Sequence, residues 1–115
     1  MVIQEKRKHA RIQSLNLSYI CLNENDEIVK QGMGRTLNVS AAGILLETNF
    51  AVDLNHKVLL NIGFQEQLIE VKGKPIHSKK NDKGLHEIGI QFQESDPVVI
   101  DTIQKFVEAY EKKSD

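Results

Sequence analysis

Hydrophobic and polar residues alternate in short runs up to residue 92, after which the period changes. Between Ser14 and Leu22, Leu15, Leu17, Tyr19 and Cys21 share one face and Asn16, Ser18 and Ile20 the other. This is the period of a half-buried strand. Asn23-Glu24-Asn25-Asp26 reads as a turn. A second strand is predicted over residues 28–37, with Gly32 and Gly34 marking a bulge or a close backbone approach within it. Residues 38–43 read as a turn into a strand over 44–48. Val58, Leu60, Ile62 and Phe64 alternate in a fourth strand, residues 65–67 turn the chain, and residues 68–77 form a fifth with Ile69 and Val71 on one face. Asn81-Asp82-Lys83-Gly84 is the strongest turn signal in the chain. Beyond it Ile88, Ile90 and Phe92 alternate with Glu87, Gly89 and Gln91.

The final segment is helical in period: Val99, Ile103, Phe106, Val107 and Tyr110 fall on one stripe. Asp96 suits the N-cap and Pro97 the first helical position. Asp101 with Lys105, and Glu108 with Lys112, are favourable pairs one turn apart on the wet side. The pattern therefore predicts a mainly β fold, a six-stranded antiparallel β-barrel with a C-terminal α-helix packed on a barrel mouth or side. A chain of 115 residues accommodates one domain, divided here into an N-terminal basic arm, 1–13, and the barrel with its helix, 14–115.

Composition narrows the function classes. The 40% hydrophobic and 27% charged residues are those of a globular protein. Fifteen Lys and Arg against sixteen Asp and Glu leave a net charge of -1, so whole-molecule charge draws the chain neither to nucleic acid nor to an anionic membrane. The single cysteine, Cys21, makes no internal disulfide and fits a reducing compartment. The basic N-terminus is not followed by an apolar run, and no stretch is long enough to span a membrane. A cytoplasmic location without membrane insertion is expected.

Two clusters carry candidate chemistry. The first is Arg7-Lys8-His9-Ala10-Arg11 in the polar arm, and the second is Asn38-Val39-Ser40-Ala41-Ala42-Gly43. A guanidinium presents a planar fork of donors, suited to a phosphate or to the O6 and N7 acceptors of guanine. Asn38 and Ser40 add an amide and a hydroxyl. Gly43 leaves room for close backbone approach or a left-handed turn. Taken by themselves these residues suit an anion site and specify nothing further.

Arranged in this order, R-x-x-x-R and then N-x-S-x-x-G, they resemble the signature of the PilZ domain family. His86-Glu87-Ile88-Gly89-Ile90-Gln91-Phe92 is similar to that family's closing strand, and the resemblance runs from about Lys6 into the final helix. It implies a six-stranded barrel that binds cyclic di-GMP. Arg7 and Arg11 would contact guanine edges and phosphates, Asn38 and Ser40 the second guanine and nearby polar atoms, and Gly43 would shape the turn. Lys6, Lys8 and His9 are possible accessory contacts. In the family the residue before the first arginine influences whether one ligand or a stacked pair binds, and here it is Lys6. No cofactor beyond this ligand is implied. The partner proteins of the family include motility, pilus and exopolysaccharide machinery. The expected function is that of a receptor that signals to a protein partner as the ligand reorders the arm.

Two rivals use the same residues. One is a PilZ-like interaction module that no longer binds the ligand, which the presence of both motifs opposes. The other is a nucleic-acid-binding small barrel, opposed by the net charge and by aromatics at 5% with no Trp. The four histidines and lone cysteine lack metal-ligand spacing, and no catalytic motif is present, so neither a metal site nor an enzyme is expected. Gly32-Met33-Gly34 lacks the third glycine and the following helix of a phosphate loop.

Overall fold

The computed structural model describes residues 16–64 and 67–114. Six strands run in chain order as β1 (Asn16–Leu22), β2 (Ile28–Val39), β3 (Gly43–Thr48), β4 (Lys57–Phe64), β5 (Gln67–Lys80) and β6 (His86–Phe92), followed by the helix α1 (Pro97–Ser114). All pairings are antiparallel, and the sheet closes in the order β1-β2-β3-β6-β5-β4, with β4 returning to β1. Closure leaves no unpaired edge.

The alternation read from the sequence decides what fills the barrel. Leu17, Tyr19 and Cys21 of β1, Val58, Leu60 and Ile62 of β4, and Ile88 and Ile90 of β6 are all buried. Ile103, Phe106 and Val107 of α1 join the same core, so the helical stripe packs its apolar face on the barrel. Asp96 Oδ1 accepts from the Val98 amide at 2.9 Å and caps the helix. Asp101 and Lys105 pair at 3.2 Å; the expected Glu108–Lys112 pair and the arm, 1–13, lie outside the described side chains.

Two tight turns are built by asparagine side chains. Asn23 Oδ1 accepts from the amides of Asn25 and Glu27 at 2.9 and 3.0 Å. Asn81 Oδ1 accepts from Lys83 and Leu85 at 3.0 and 3.1 Å. Each side chain substitutes for a backbone carbonyl in closing its loop, which is why Asn recurs at these positions.

The Gly32–Gly34 segment corrects one expectation. The β1–β2 register runs unbroken past both glycines, so no bulge is there. Close approach is what Gly34 provides, since a Cβ would lie 3.2 Å from Thr48 Cγ2 and 3.3 Å from Leu46 Cδ1. The register breaks elsewhere: at Val29, at Leu37 and at Ile76. The strands also run longer than their apolar cores suggested, β2 to Val39 and β5 to Lys80, and the turn expected over 38–43 narrows to Ser40–Ala42.

Candidate functional site

The bulge at Leu37 decides which way Asn38 faces. Gly34 and Thr36 are buried, and strict alternation would place residue 38 inside and 39 outside. Leu37 is the extra residue, skipped between the Thr36–Leu46 and Asn38–Leu45 pairs. It reverses the parity: Val39 is buried at 4% exposure and Asn38 is exposed on the outer wall.

A second bulge does the same on β5. Pro75 pairs with Ile90 and His77 with Gly89, and Ile76 is left over. Pro75 is buried, while Ile76 and His77 are both exposed. The two bulges fall in one row across the barrel wall, because Asn38 pairs with Leu45, Leu45 with Gly89, and Gly89 with His77. Strands lie about 4.8 Å apart, so this row of four spans roughly 14 Å. A groove of about 300 Å³ follows it, with Asn38, Ser40 and Gly43 at one side, Leu45, Gly89 and Gln91 along its floor, and Ile76 at the other side.

The second motif therefore comes together at the groove, but its members do different things. The Ser40 amide donates to the Gly43 carbonyl at 2.8 Å, and Ser40 Oγ accepts from the Ala42 amide at 3.2 Å, so the hydroxyl holds the turn. Asn38 Oδ1 accepts from the Val39 amide at 2.9 Å, and its NH₂ donates to no described residue. Gly43 has no left-handed φ. It is required because a Cβ there would overlap the Ile90 carbonyl oxygen where β3 crosses β6. At Gly89, a Cβ would lie 3.3 Å from Cδ2 of His77, so the imidazole covers the space that this glycine leaves.

The neighbouring row carries charge that the sequence did not reveal. Glu47 and Glu87 sit directly opposite each other on β3 and β6. Asn81 Nδ2 donates to both carboxylates, at 2.8 and 3.2 Å. Arg35 Nε and Nη2 donate to Glu47 Oε1 at 3.2 and 2.9 Å, and Lys83 Nζ approaches Oε2 at 4.0 Å. The Arg35 hydrogen bonds, with help from Asn81, hold the buried Glu47 carboxyl below the usual range despite the opposing effect of burial. The acid pair beside the groove is thus compensated and does not face a bound anion as bare charge.

A larger groove, about 430 Å³, lies on the β4–β5 side, bordered by Lys57, Leu59, Glu70 and Lys72. It contains none of the motif residues, and Lys57 is already paired with Asp26 at 3.0 Å. Burial pushes the Cys21 thiol up, which leaves it a packing residue rather than a nucleophile. Among the described residues no group of three or more His, Cys, Asp or Glu is placed to hold a metal, and no helix is long and apolar enough to cross a membrane. Arg7, Arg11, Lys6, Lys8 and His9 lie outside the described residues.

Comparison with known proteins agrees with this architecture. No curated protein sequence matches the chain. Among solved structures, an inhibitor of motility from Bacillus subtilis (MotI/DgrA) shares the fold with a TM-score of 0.63 at 9% identity, over 86% of this chain and 48% of that one. The chain thus spans about half the length of that protein. The PilZ domain of CeSA from a cellulose-synthesizing bacterium superposes with a TM-score of 0.61 at 11% identity, over 84% of this chain and 94% of that one. The family model described as PilZ domain matches residues 5–109, nearly the whole sequence, and the chain belongs to the PilZ domain family.

Proposed function

We propose that the chain is a receptor for cyclic di-GMP that holds the dinucleotide between the groove of the β3–β6 wall and the two arginines of the N-terminal arm. The observation that carries this reading is the convergence of Asn38, Ser40 and Gly43 on one outward groove, with the Asn38 NH₂ donating to no described residue. An exposed amide donor at the edge of a shallow groove suits the acceptor edge of a base. Arg7 and Arg11 supply what the groove lacks, namely fixed positive charge for two phosphates and forked donors for guanine O6 and N7.

The proposed consequence of binding is mechanical. A ligand gripped by both the arm and the groove ties residues 1–13 to the β2–β3 turn, and the reordered arm presents or completes a surface for a partner protein. Ordering a segment costs on the order of 1 kcal/mol per residue, which offsets part of the contact energy and lets the arm act as a switch. Motility and exopolysaccharide machinery are the partner classes that fit. The support for them is that one protein of this fold is an inhibitor of motility and another a domain of CeSA from a cellulose-synthesizing bacterium.

Calorimetric titration with cyclic di-GMP, cyclic di-AMP and a short single-stranded oligonucleotide separates this reading from its rivals. Saturable heat with cyclic di-GMP and little with the others supports a receptor. Heat with the oligonucleotide alone supports a nucleic-acid barrel, and none with any of the three supports a pure interaction module.

A further inference from the structure

The family's motifs account for one side of the groove and leave the other, on β5, without a role. Between Glu70 and Lys80 the exposed side chains of β5 are charged or polar except Ile76, which is 56% exposed. An isolated aliphatic side chain at a surface is ordinary. Two further facts set Ile76 apart. It is the extra residue of a bulge that turns His77 outward as well, so two consecutive side chains, Ile76 and His77, face the outer wall. It also borders the same groove as Asn38, at the opposite end of a row that begins with the Leu37 bulge.

Between these two walls the floor is low and largely apolar. Gly43 carries no side chain, Leu45 is half-buried on the outer face, and the His77 imidazole lies over Gly89. A shallow slot with a hydrogen-bonding rim at one side and an aliphatic wall at the other is complementary to a planar heteroaromatic ring. The polar edge of the ring would meet Asn38 while its face or far edge covers Ile76. Lys74, opposite Gln91 on β5, is an exposed cation near this groove.

We infer that Ile76 is a ligand-contacting residue, the apolar wall against which a purine base of the bound dinucleotide packs. The inference rests on the reading of the groove as the cyclic di-GMP site, and it assigns to β5 a share of the affinity that neither motif contains.

The chain has no tryptophan, which makes Ile76→Trp a direct reporter. Three variants are titrated with cyclic di-GMP beside the parent chain: Ile76→Ser, Ile76→Trp and, as a control on an exposed apolar residue away from the groove, Met33→Ser. Ile76→Ser is expected to weaken binding about tenfold, the amount that uncovering an aliphatic side chain's contact area implies. Met33→Ser is expected to bind as the parent does. The emission of Ile76→Trp is expected to change saturably with ligand, at an affinity equal to or tighter than the parent's. Parent-like affinity in Ile76→Ser, together with an unresponsive tryptophan while the parent binds, overturns the role of Ile76 and leaves the motif groove standing. Absence of binding by the parent chain overturns the groove reading itself, and this inference with it.

Discussion

Gly43 lies so close to the Ile90 carbonyl oxygen that no side chain fits between β3 and β6 at that point. The last residue of the second motif is therefore a packing requirement of the barrel before it is anything else. Gly43→Ala must separate two paired strands, and overpacking of this kind costs about 1–3 kcal/mol. For a domain of this size that lowers the melting temperature by several degrees or more. Loss of ligand binding in this variant would accompany a measurable loss of stability in thermal denaturation. An unchanged melting curve would mean the strands can part freely there.

Asn38→Ala separates binding from folding. The side chain is exposed, and its one hydrogen bond is to the adjacent amide, so the barrel should melt as before. Removing one neutral donor to the ligand costs about 0.5–1.5 kcal/mol, roughly two- to tenfold in affinity. Ser40→Ala should show a similar weakening with a small drop in stability, because its hydroxyl also holds the turn to the Ala42 amide. Calorimetry and thermal melts on the same samples distinguish the two patterns.

Glu47 makes stability depend on acid. Its carboxyl is held below the ordinary glutamate range, chiefly by the Arg35 hydrogen bonds, so ionisation of Glu47 favours the folded state. That contribution is fully present above the unfolded-state value, about 4.3, and disappears as pH falls through the lower folded-state value. Glu47→Gln should melt at a lower temperature than the parent at neutral pH, and the two should converge as pH drops below about 4. Melting curves that stay parallel from pH 7 to pH 3 would assign no linkage to this network.

Much of this barrel is legible in the sequence because strict alternation survives wherever the ladder is regular. Leu17, Tyr19 and Cys21, or Val58, Leu60 and Ile62, can be assigned to the core by counting alone. What resists reading is any feature that breaks the count. The bulges at Leu37 and Ile76 arise in two pairings, β2–β3 and β5–β6; nothing in β2 announces the first, and only Pro75 marks the second. The glycines at 32 and 34 do announce something, but it is close packing at Gly34 rather than a break in register. Ile76 falls on the outer face by counting from Val71, but His77 would then fall inside, and only the bulge reveals it as part of the outer wall. Arg35, Glu47 and Asn81 escaped notice for a related reason: they are distant in sequence and meet only when β2, β3 and the β5–β6 turn close together.

The arm arginines should dominate affinity and set base preference. Arg7→Ala and Arg11→Ala each remove a charged hydrogen bond to the ligand, about 1.5–3 kcal/mol, or roughly ten- to a hundredfold. Cyclic di-AMP, with an amine where guanine has O6, should bind at least about tenfold more weakly than cyclic di-GMP. Amide hydrogen exchange should slow in residues 1–13 and 38–43 on addition of ligand and change little in Val58–Ile62. Full affinity in both arginine variants would detach the arm from the site.

The central claim is that cyclic di-GMP sits on the β3–β6 wall, and the most direct measurement is a residue-by-residue NMR titration of the full chain. The account predicts saturable amide shifts that cluster at Asn38, Ser40, Gly43, Gly89 and Ile76. Lys57, Leu59 and Lys72 beside the larger groove should remain still. Shifts confined to that second groove, or no shifts at saturating ligand, would contradict it.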